Sequence, residues 1–513
     1  MIKLSRTLQD ASTMFNLNVT EVSELSRILS RLIQGSLDSP NISNPILEHL
    51  GEAKVLDGWD EVFNGRKSEI NETLHSIEES ERAKFGSRSK AKPWCDIKQD
   101  FYDYWSNQNP DSNLKQLEIP SNSRLRPWDV KRVISTIKSD TNSGLPYLTK
   151  KGKVKDKFLD EAFLESEWLK EYAAVPFVRT QEMLKTRIVW GVAIANIVYE
   201  GKYFYPFLDY QKKISWRTAL LGPDAVDEVI TAMVIQAVSR GELLVSLDFS
   251  AYDRSLGPNL QILYDEYKCR VFQPQYCDTI LEIGSRRVNL PMITPDGLKQ
   301  GPHGLPSGSA DTNEAGSVIQ ATIAENTGLI TLGGDSSQFH GDDSATRLAG
   351  MPEVETYLAS FEREGLEVNR DKTYIAANFI VFLQRLYHID YIDKGKLGGI
   401  YSTYRALNRI MNLERFTDFL DDGLDGKDFF SIRTISILEN CKFHPLFSDF
   451  VKYIWNLDKY SLKFSENSLR KYVEMMRNTE GTEGLIINQY GTKVSGIKSF
   501  EAFKIIDELN KVS

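Results

Sequence analysis

The stretch Ser336–Arg347 reads SSQFHGDDSATR and sets two adjacent carboxylates, Asp342 and Asp343, directly after a glycine between two short runs that suit strands. Gly341 tolerates the backbone angles of a tight turn, so the expected local structure is strand, turn, strand with both acids at the tip. Carboxylates crowded together in a folded chain repel one another and lose hydration unless a divalent cation neutralises them. Read alone, the same three residues also describe any solvated hairpin loop. Partners elsewhere in the chain decide between these readings.

Working outward, Glu242–Asp253 (ELLVSLDFSAYD) is an apolar run that ends on Asp248, with a second acid at Asp253. A buried strand with a carboxylate at its C-terminal end presents a metal ligand to a cleft, whereas Asp253 also suits a helix cap. Gly301–Gln320 (GPHGLPSGSADTNEAGSVIQ) begins with small residues and passes into a helix running towards Asn326, which leaves backbone amides free for an anion or a ribose. It is not a nucleophile elbow, because Leu305 and Ser309 stand where that motif has glycines around Ser307. No G-x-x-x-x-G-K-[ST] loop is present. After the acids, Pro352–Glu364 is expected to be a helix with Val354, Tyr357, Leu358 and Phe361 on one side, stopped by Gly365, and Lys372 lies just beyond. Phe379–Ile392 (FIVFLQRLYHIDYI) is an apolar strand candidate interrupted by Gln384 and Arg385.

Upstream, Phe177–Ala193 (FVRTQEMLKTRIVWGVA) reads as an extended segment that projects Arg179, Lys185 and Arg187 to a common face. Such a face binds a triphosphate, or it protects an edge strand by charge. The loop Ser139–Lys153 combines Thr141, Ser143, Gly144 and Pro146 with lysines, which fits either a phosphate cradle or a plain turn. Thr20–Gln34 places Val22, Leu25, Ile28, Leu29, Leu32 and Ile33 on one helical face, with Gly35 as the stop.

At 513 residues the chain exceeds one hydrophobic core, so roughly two to four lobes are expected. Hydrophobic residues at 41% and charged residues at 26% exclude disorder and fibres. Lys and Arg total 62 against 71 Asp and Glu, a net charge of -9 that does not advertise a nucleic-acid binder. The charge is uneven, because Lys84–Lys157 holds 16 Lys or Arg against 8 Asp or Glu, with Trp94, Phe101, Tyr102, Trp105 and Trp128 interspersed. That segment fits a groove for a phosphate backbone or a solvated face. Cys95, Cys269, Cys277 and Cys441 have no zinc-type spacing and are expected to be reduced thiols. The N-terminus lacks the apolar core of a signal peptide, and no window is apolar enough to span a bilayer.

Taken in series, TNSGLP (Thr141–Pro146), KTRIVW (Lys185–Trp190), DFSAYD (Asp248–Asp253), GLPSGSADT (Gly304–Thr312), HGDD (His340–Asp343), the helix-to-Lys372 region and FLQRLY (Phe382–Tyr387) stand in the order of motifs G, F, A, B, C, D and E. This series resembles that of viral RNA-dependent RNA polymerases. The resemblance implies an α+β right-hand fold with fingers, a palm built on an antiparallel sheet flanked by helices, and a helical thumb. It also implies template-directed RNA synthesis from ribonucleoside triphosphates by two-metal nucleotidyl transfer. The implied division is an N-terminal extension over 1–83, fingers over 84–193, palm over 194–265, middle fingers over 266–303, palm over 304–393 and thumb over 394–513.

Carried over by position, the resemblance gives Asp248 and Asp342 as ligands of two Mg²⁺ ions, replaceable by Mn²⁺, with Asp343 assisting. Lys372 becomes the general acid towards pyrophosphate, and Arg179, Lys185 and Arg187 neutralise the triphosphate. Asp253, Ser307, Thr312 and Asn313 hydrogen-bond the ribose, while Thr141, Ser143, Gly144 and Gly308 meet RNA. An acid at Asp253 favours ribonucleotides over a reverse-transcriptase reading, in which an aromatic residue would exclude the 2′-hydroxyl. One position departs from the pattern: many relatives carry Asn or Asp four residues after the motif B threonine, where this chain has Gly316. The compact chain, with no methyltransferase or helicase pattern, and the motif B reading GLPSGS (Gly304–Ser309) are similar to the polymerases of picobirnaviruses and partitiviruses. That likeness implies replication and transcription of double-stranded RNA segments by a monomer, in the virion interior and host cytoplasm. Its partners are template and nascent RNA, nucleotides and a capsid protein, with no membrane anchor. Positive-strand picornavirus-like polymerases, a reverse transcriptase and a non-catalytic RNA-binding protein are the alternatives.

Overall fold

Four short apolar runs meet in one antiparallel sheet in the computed structural model of the protein, which describes residues 2–106, 109–111, 113–119, 124–420, 423–478 and 496–512. They are Leu243–Ser246 (β1), Ser337–His340 (β2), Asp343–Leu348 (β3) and Tyr374–Ala376 (β4), in the order β2-β3-β1-β4. The expected basic segment 84–157 and the C-terminal span 394–513 each include residues outside the described set. β1 lies between two neighbours, with Leu243 opposite Leu348 of β3 and Leu244 opposite Ala376 of β4. That central place explains why Leu244 and Val245 are both buried although they point to opposite faces. β2 and β3 form the anticipated hairpin: His340 pairs with Asp343, and Gly341 takes a φ of 65° between them.

Five helices carry the sheet's surroundings: Ile194–Gln211 (α1), Pro258–Val271 (α2), Cys277–Val288 (α3), Thr312–Asn326 (α4) and Met351–Arg363 (α5). α4 packs on β2, α2 and α5, and its middle residues from Glu314 to Ala324 are buried all round. Such a helix has no polar face to turn outward, and Ala315, Gly316, Ser317 and Ala321 are small enough for its neighbours to close in. α5 buries Val354, Tyr357, Leu358 and Phe361, the stripe expected from spacing. Tyr357 and Phe361 join Val245, Leu247, Val318 and Phe339 in the main core.

The chain divides into two compact units. The larger comprises Met1–Gly35, Pro93–Val178 and Ile188–Phe382, and the smaller Ser36–Lys92, Arg179–Arg187 and Leu383–Ser513. The expected extension 1–83 is therefore cut at Gly35. Its first part includes the anticipated helix, Val19–Gln34, which Asn18 and Glu21 open with a capping box. One other expectation changes. Phe177–Ala193 is two strands, Val175–Thr180 and Thr186–Gly191, rather than one extended segment. The apolar run from Phe379 is interrupted at Gln384 as expected, giving Phe379–Phe382 and Arg385–His388, with φ of 50° and 64° at Leu383 and Gln384.

In the smaller unit, the helices of 36–92 and the C-terminal helices share one core around Trp59, Phe63, Tyr404, Leu407 and Phe450. Glu78 pins them together. It is wholly buried and accepts hydrogen bonds from the Thr403 amide (2.8 Å), the Thr403 hydroxyl (2.9 Å), the Tyr404 amide (3.2 Å) and the Ser402 hydroxyl. These donors open the helix Thr403–Met411, so the carboxylate caps its positive end. His444 Nδ1 accepts from the Leu446 amide, which leaves its Nε2 to face Glu78 at 2.9 Å. Burial works to raise the Glu78 carboxyl, but His444 and the donors of 402–403 outweigh it and hold the group below the ordinary carboxylate range. A depressed folded pKa means that this stabilisation is present above the unfolded value and is lost as pH falls through the folded one. Glu78→Ala should cost about 3–5 kcal/mol in denaturant unfolding, since it strands several buried donors, and Glu78→Gln should cost less and remove the acid sensitivity.

Candidate active site

β1 ends at Ser246 with its side chains locked in the core, so the next residues emerge at the sheet's edge. The β1–β3 register, extended three residues past its last pair, Val245 and Thr346, sets Asp248 across from Asp343, beside the Asp342 turn. Asp248 is half-buried, Asp343 half-buried and Asp342 exposed. The chain then bends at Ala251, φ 52°, into the short helix Tyr252–Ser255. That bend buries Tyr252, whose hydroxyl donates to the Gly316 carbonyl at 2.7 Å. Burial, and after it the negative charges of Asp342 and Asp253, raise the Tyr252 phenol well above its usual range, so both acids lie within electrostatic reach of one ring.

The other expected groups are tied to the same edge through the backbone. The Asp248 carbonyl accepts from the Asn369 amide (2.8 Å), and its amide donates to the Thr373 hydroxyl (3.3 Å). Exposed Lys372 sits in that turn. The Asp253 carbonyl accepts from the Leu305 amide at 2.8 Å, which joins the loop carrying Ser307 to the strand end carrying the acids. The Ser307 hydroxyl is buried without a partner among the described residues. Thr312 turns its hydroxyl back on the Pro306 carbonyl (2.7 Å) and the Ser309 carbonyl (2.9 Å), closing the loop as the helix begins.

Gly316, the departure from the motif pattern, has a physical reason. A Cβ there would stand 3.1 Å from the Tyr252 ring and 3.6 Å from Gly341 Cα. Asn313, one turn earlier, approaches the same hairpin, its Nδ2 lying 3.5 Å from His340 Nε2. The side chain that organises this junction is one that sequence reading passed over. Arg217 is fully buried and donates to Glu314 (2.6 Å), Asn313 Oδ1 (3.1 Å), the Phe339 carbonyl (3.0 Å) and the Ser317 hydroxyl. Ser317 in turn accepts from the Gly341 amide at 2.7 Å, so the arginine reaches the Asp342 turn through one intermediary. Burial and the neighbouring Arg217 lower the His340 imidazole to about 3, which keeps it neutral. Arg217 stands in the unremarkable run ISWRTALLG, which carries no pattern to flag it.

Other expected residues have different surroundings. Ser143 is buried and bonded to Thr149, and a Cβ on Gly144 (φ 64°) would strike the Val192 carbonyl at 2.6 Å. Gly308 is pressed on Trp190, with 1.7 Å from a Cβ to its carbonyl oxygen. The side-chain positions of Ser143, Gly144 and Gly308 face protein, and these residues shape their loops. The Thr141 hydroxyl is buried without a partner among the described residues. Arg179, Lys185 and Arg187 are exposed and belong to the smaller unit, where Arg179 approaches Glu414 at 3.7 Å.

Among the described residues no group of three or more His, Cys, Asp or Glu side chains is gathered closely enough to hold a metal ion. Magnesium does not require one, because it keeps several waters and is commonly held by one or two carboxylates together with substrate phosphates. Asp248 and Asp342, at one edge and partly open to solvent, fit that donor set.

A family model described as viral RNA-dependent RNA polymerase matches residues 107–397, more than half of the chain. A potential RNA-dependent RNA polymerase of human picobirnavirus (strain Human/Thailand/Hy005102/-) is 28% identical over 417 residues, covering 76% of this chain and 77% of that protein. The crystal structure of the RNA-dependent RNA polymerase of a human picobirnavirus superposes with a TM-score of 0.79 at 22% identity, over 98% of this chain and 99% of the other. Its insertion-loop deletion mutant gives 0.78 at the same identity and coverage. At that identity the structural likeness speaks to the fold, which is the expected right-hand arrangement.

Since the Tyr252–Gly316 contact is both a hydrogen bond and a steric limit, two substitutions probe it separately. Tyr252→Phe should cost about 1–2 kcal/mol in unfolding by leaving the Gly316 carbonyl unpaired. Gly316→Asn, which must displace the ring, should cost more, about 1–3 kcal/mol, and lower the melting temperature further than Tyr252→Phe.

Proposed function

The chain belongs to the family of viral RNA-dependent RNA polymerases, and from that premise we propose that it joins ribonucleotides on an RNA template by two-metal nucleotidyl transfer, with Asp248 and Asp342 as the metal-holding acids. The observation that supports this reading is the β1–β3 register, whose extension beyond Val245–Thr346 runs towards Asp248 on one strand and Asp343, next to Asp342, on the other. Mg²⁺ bound there, or Mn²⁺ in its stead, would lower the pKa of the attacking 3′-hydroxyl and offset charge on the leaving pyrophosphate.

The protein's own groups supply the rest. Asp343 flanks the pair and adds negative potential that favours a divalent cation. Lys372, in the turn bonded to Asp248, carries a proton for the leaving group. Asp253, Ser307, Thr312 and Asn313 serve the ribose. The support is the Leu305–Asp253 backbone bond, which couples the serine loop to the second acid. Arg179, Lys185 and Arg187 are an exposed cationic set of the kind a triphosphate requires. The likeness to picobirnavirus polymerases supports a wider reading: a monomer that copies and transcribes double-stranded RNA segments inside the virion and in the host cytoplasm, next to a capsid protein.

Template-directed incorporation with Mg²⁺ tests the core of this. Asp248→Ala and Asp342→Ala should each lower the rate on the order of a thousandfold or more, with RNA affinity kept. An unchanged rate in Asp342→Ala would leave only RNA binding. Wild type should use ribonucleotides far better than deoxyribonucleotides, and Asp253→Ala should narrow that gap; a strong deoxyribonucleotide preference sinks the assignment. RNA affinity should fall steeply with salt, and a flat dependence would contradict the basic-channel reading of 84–157.

A further inference from the structure

The loop Gly304–Asp311 has no regular structure of its own, yet it carries Ser307 and delivers the chain into α4. Its shape must be held from outside. At its end, buried Asp311 accepts from Lys268 Nζ at 2.8 Å with both oxygens and from the Tyr264 hydroxyl at 2.8 Å. In its middle the holder is Glu200, buried on α1. One oxygen of Glu200, Oε2, accepts both the Ser309 hydroxyl and the Ala310 amide, each at 3.1 Å.

The cations nearby are engaged with other acids. Arg287 on α3 pairs with Asp265 at 2.8 Å, Arg286 pairs with Glu282 at 2.9 Å and stacks on Trp168, and Lys268 on α2 pairs with Asp311. Arg286, Arg287, Asn196 and Trp168 line a small cavity against Glu200 and Ser309. Burial, then the charge of Asp311, raise the Glu200 carboxyl to about 7, while Arg287 and the two loop donors act the other way. An acid placed on a loop in this way changes its accepting strength near neutral pH.

We propose that Glu200 is the positioning residue of this loop: by accepting Ser309 and Ala310 on one oxygen, its carboxylate sets the backbone so that the Ser307 hydroxyl meets the incoming nucleoside triphosphate. The proposal rests on the reading that the loop contacts the nucleotide. Glu200 touches no substrate, and it acts through the loop. The ionised carboxylate is the stronger acceptor, so nucleotide binding tightens as pH rises through the Glu200 titration.

The test is nucleotide-saturation kinetics on a fixed RNA template, run from about pH 6 to about pH 8 on wild type and Glu200→Gln. The substitution should raise the nucleotide KM about three- to tenfold at the alkaline end, with kcat and RNA affinity little changed. The two proteins should converge at the acid end, where wild type itself carries the protonated group. Titration of the nucleotide's own phosphates is common to both and cancels in the comparison. Ser309→Ala, which keeps the acid and removes one donor, should move KM the same way by a smaller factor, and it carries the test alone if Glu200→Gln does not fold. Equal KM values at the alkaline end overturn the proposal. So does a raised KM accompanied by a parallel fall of kcat, RNA affinity and melting temperature in both variants, which marks a scaffold contact. Ser307→Ala separates the parent reading: a silent Ser307→Ala removes the loop from the nucleotide site, whereas a raised KM there beside a silent Glu200→Gln rejects Glu200 alone.

Discussion

The acidic edge depends on how closely α4 approaches the Gly341 turn. Gly316 admits the Tyr252 ring, which a side chain there would crowd at 3.1 Å, and lies beside the Gly341 backbone. Arg217 then fastens what the glycine lets in, with bonds to Asn313, Glu314 and Ser317 on α4 and to Phe339 on β2. A buried arginine paired with a buried glutamate adds little net stability, because desolvation of both charges offsets most of their attraction. What it contributes is uniqueness of arrangement. A guanidinium with both terminal nitrogens committed to two elements cannot accept a slipped helix or a shifted hairpin without stranding those donors. The position of Asp342 is thus set by a steric vacancy and a polar anchor acting on the same turn.

Those two devices differ in how far they show in the sequence. The hairpin at Gly341, the stripe of α5 and the helix Val19–Gln34 were legible because each is a local pattern: a turn residue between strands, or apolar residues at helical spacing. The seven motifs in order made the family itself legible. Arg217 was not legible, since its partners Glu314 and Phe339 lie 97 and 122 residues away and nothing around it repeats. Glu200, 109 residues from Ser309, is hidden for the same reason. The interruption at Gln384 was legible from the polar residues in an apolar run, but the part Leu383 takes in it was not, since leucine is not a usual residue for positive φ.

Small residues in loops report first on how closely the backbone packs. Gly144 and Gly308 suggested amides open to phosphate, and both are glycine because another backbone crosses at their Cα. Ser143 is buried for a related reason, bonding across its own loop to Thr149. A glycine-rich stretch reports close approach first. Whether the approaching group is protein or ligand is a matter of tertiary structure, and next to Gly308 the Ser307 hydroxyl is buried without a partner among the described residues.

Charge teaches the same distinction. The net charge of -9 and the basic excess over 84–157 both count groups irrespective of where they lie. Arg217, Lys268 and Arg287 are buried and paired with Glu314, Asp311 and Asp265, so their fields are largely cancelled within the core. Within the basic segment, Arg88 is buried between Glu182 and Glu414, whereas Lys131 and Lys153 are exposed. A phosphate backbone responds to exposed cations, because solvated charges are the ones whose counterions it can release. Acidic surface elsewhere sets solubility and does not enter a groove more than a Debye length away. An overall acidic chain and an RNA-binding groove are therefore compatible, provided that the acids paired with cations sit inside and the unpaired cations line the path of the nucleic acid.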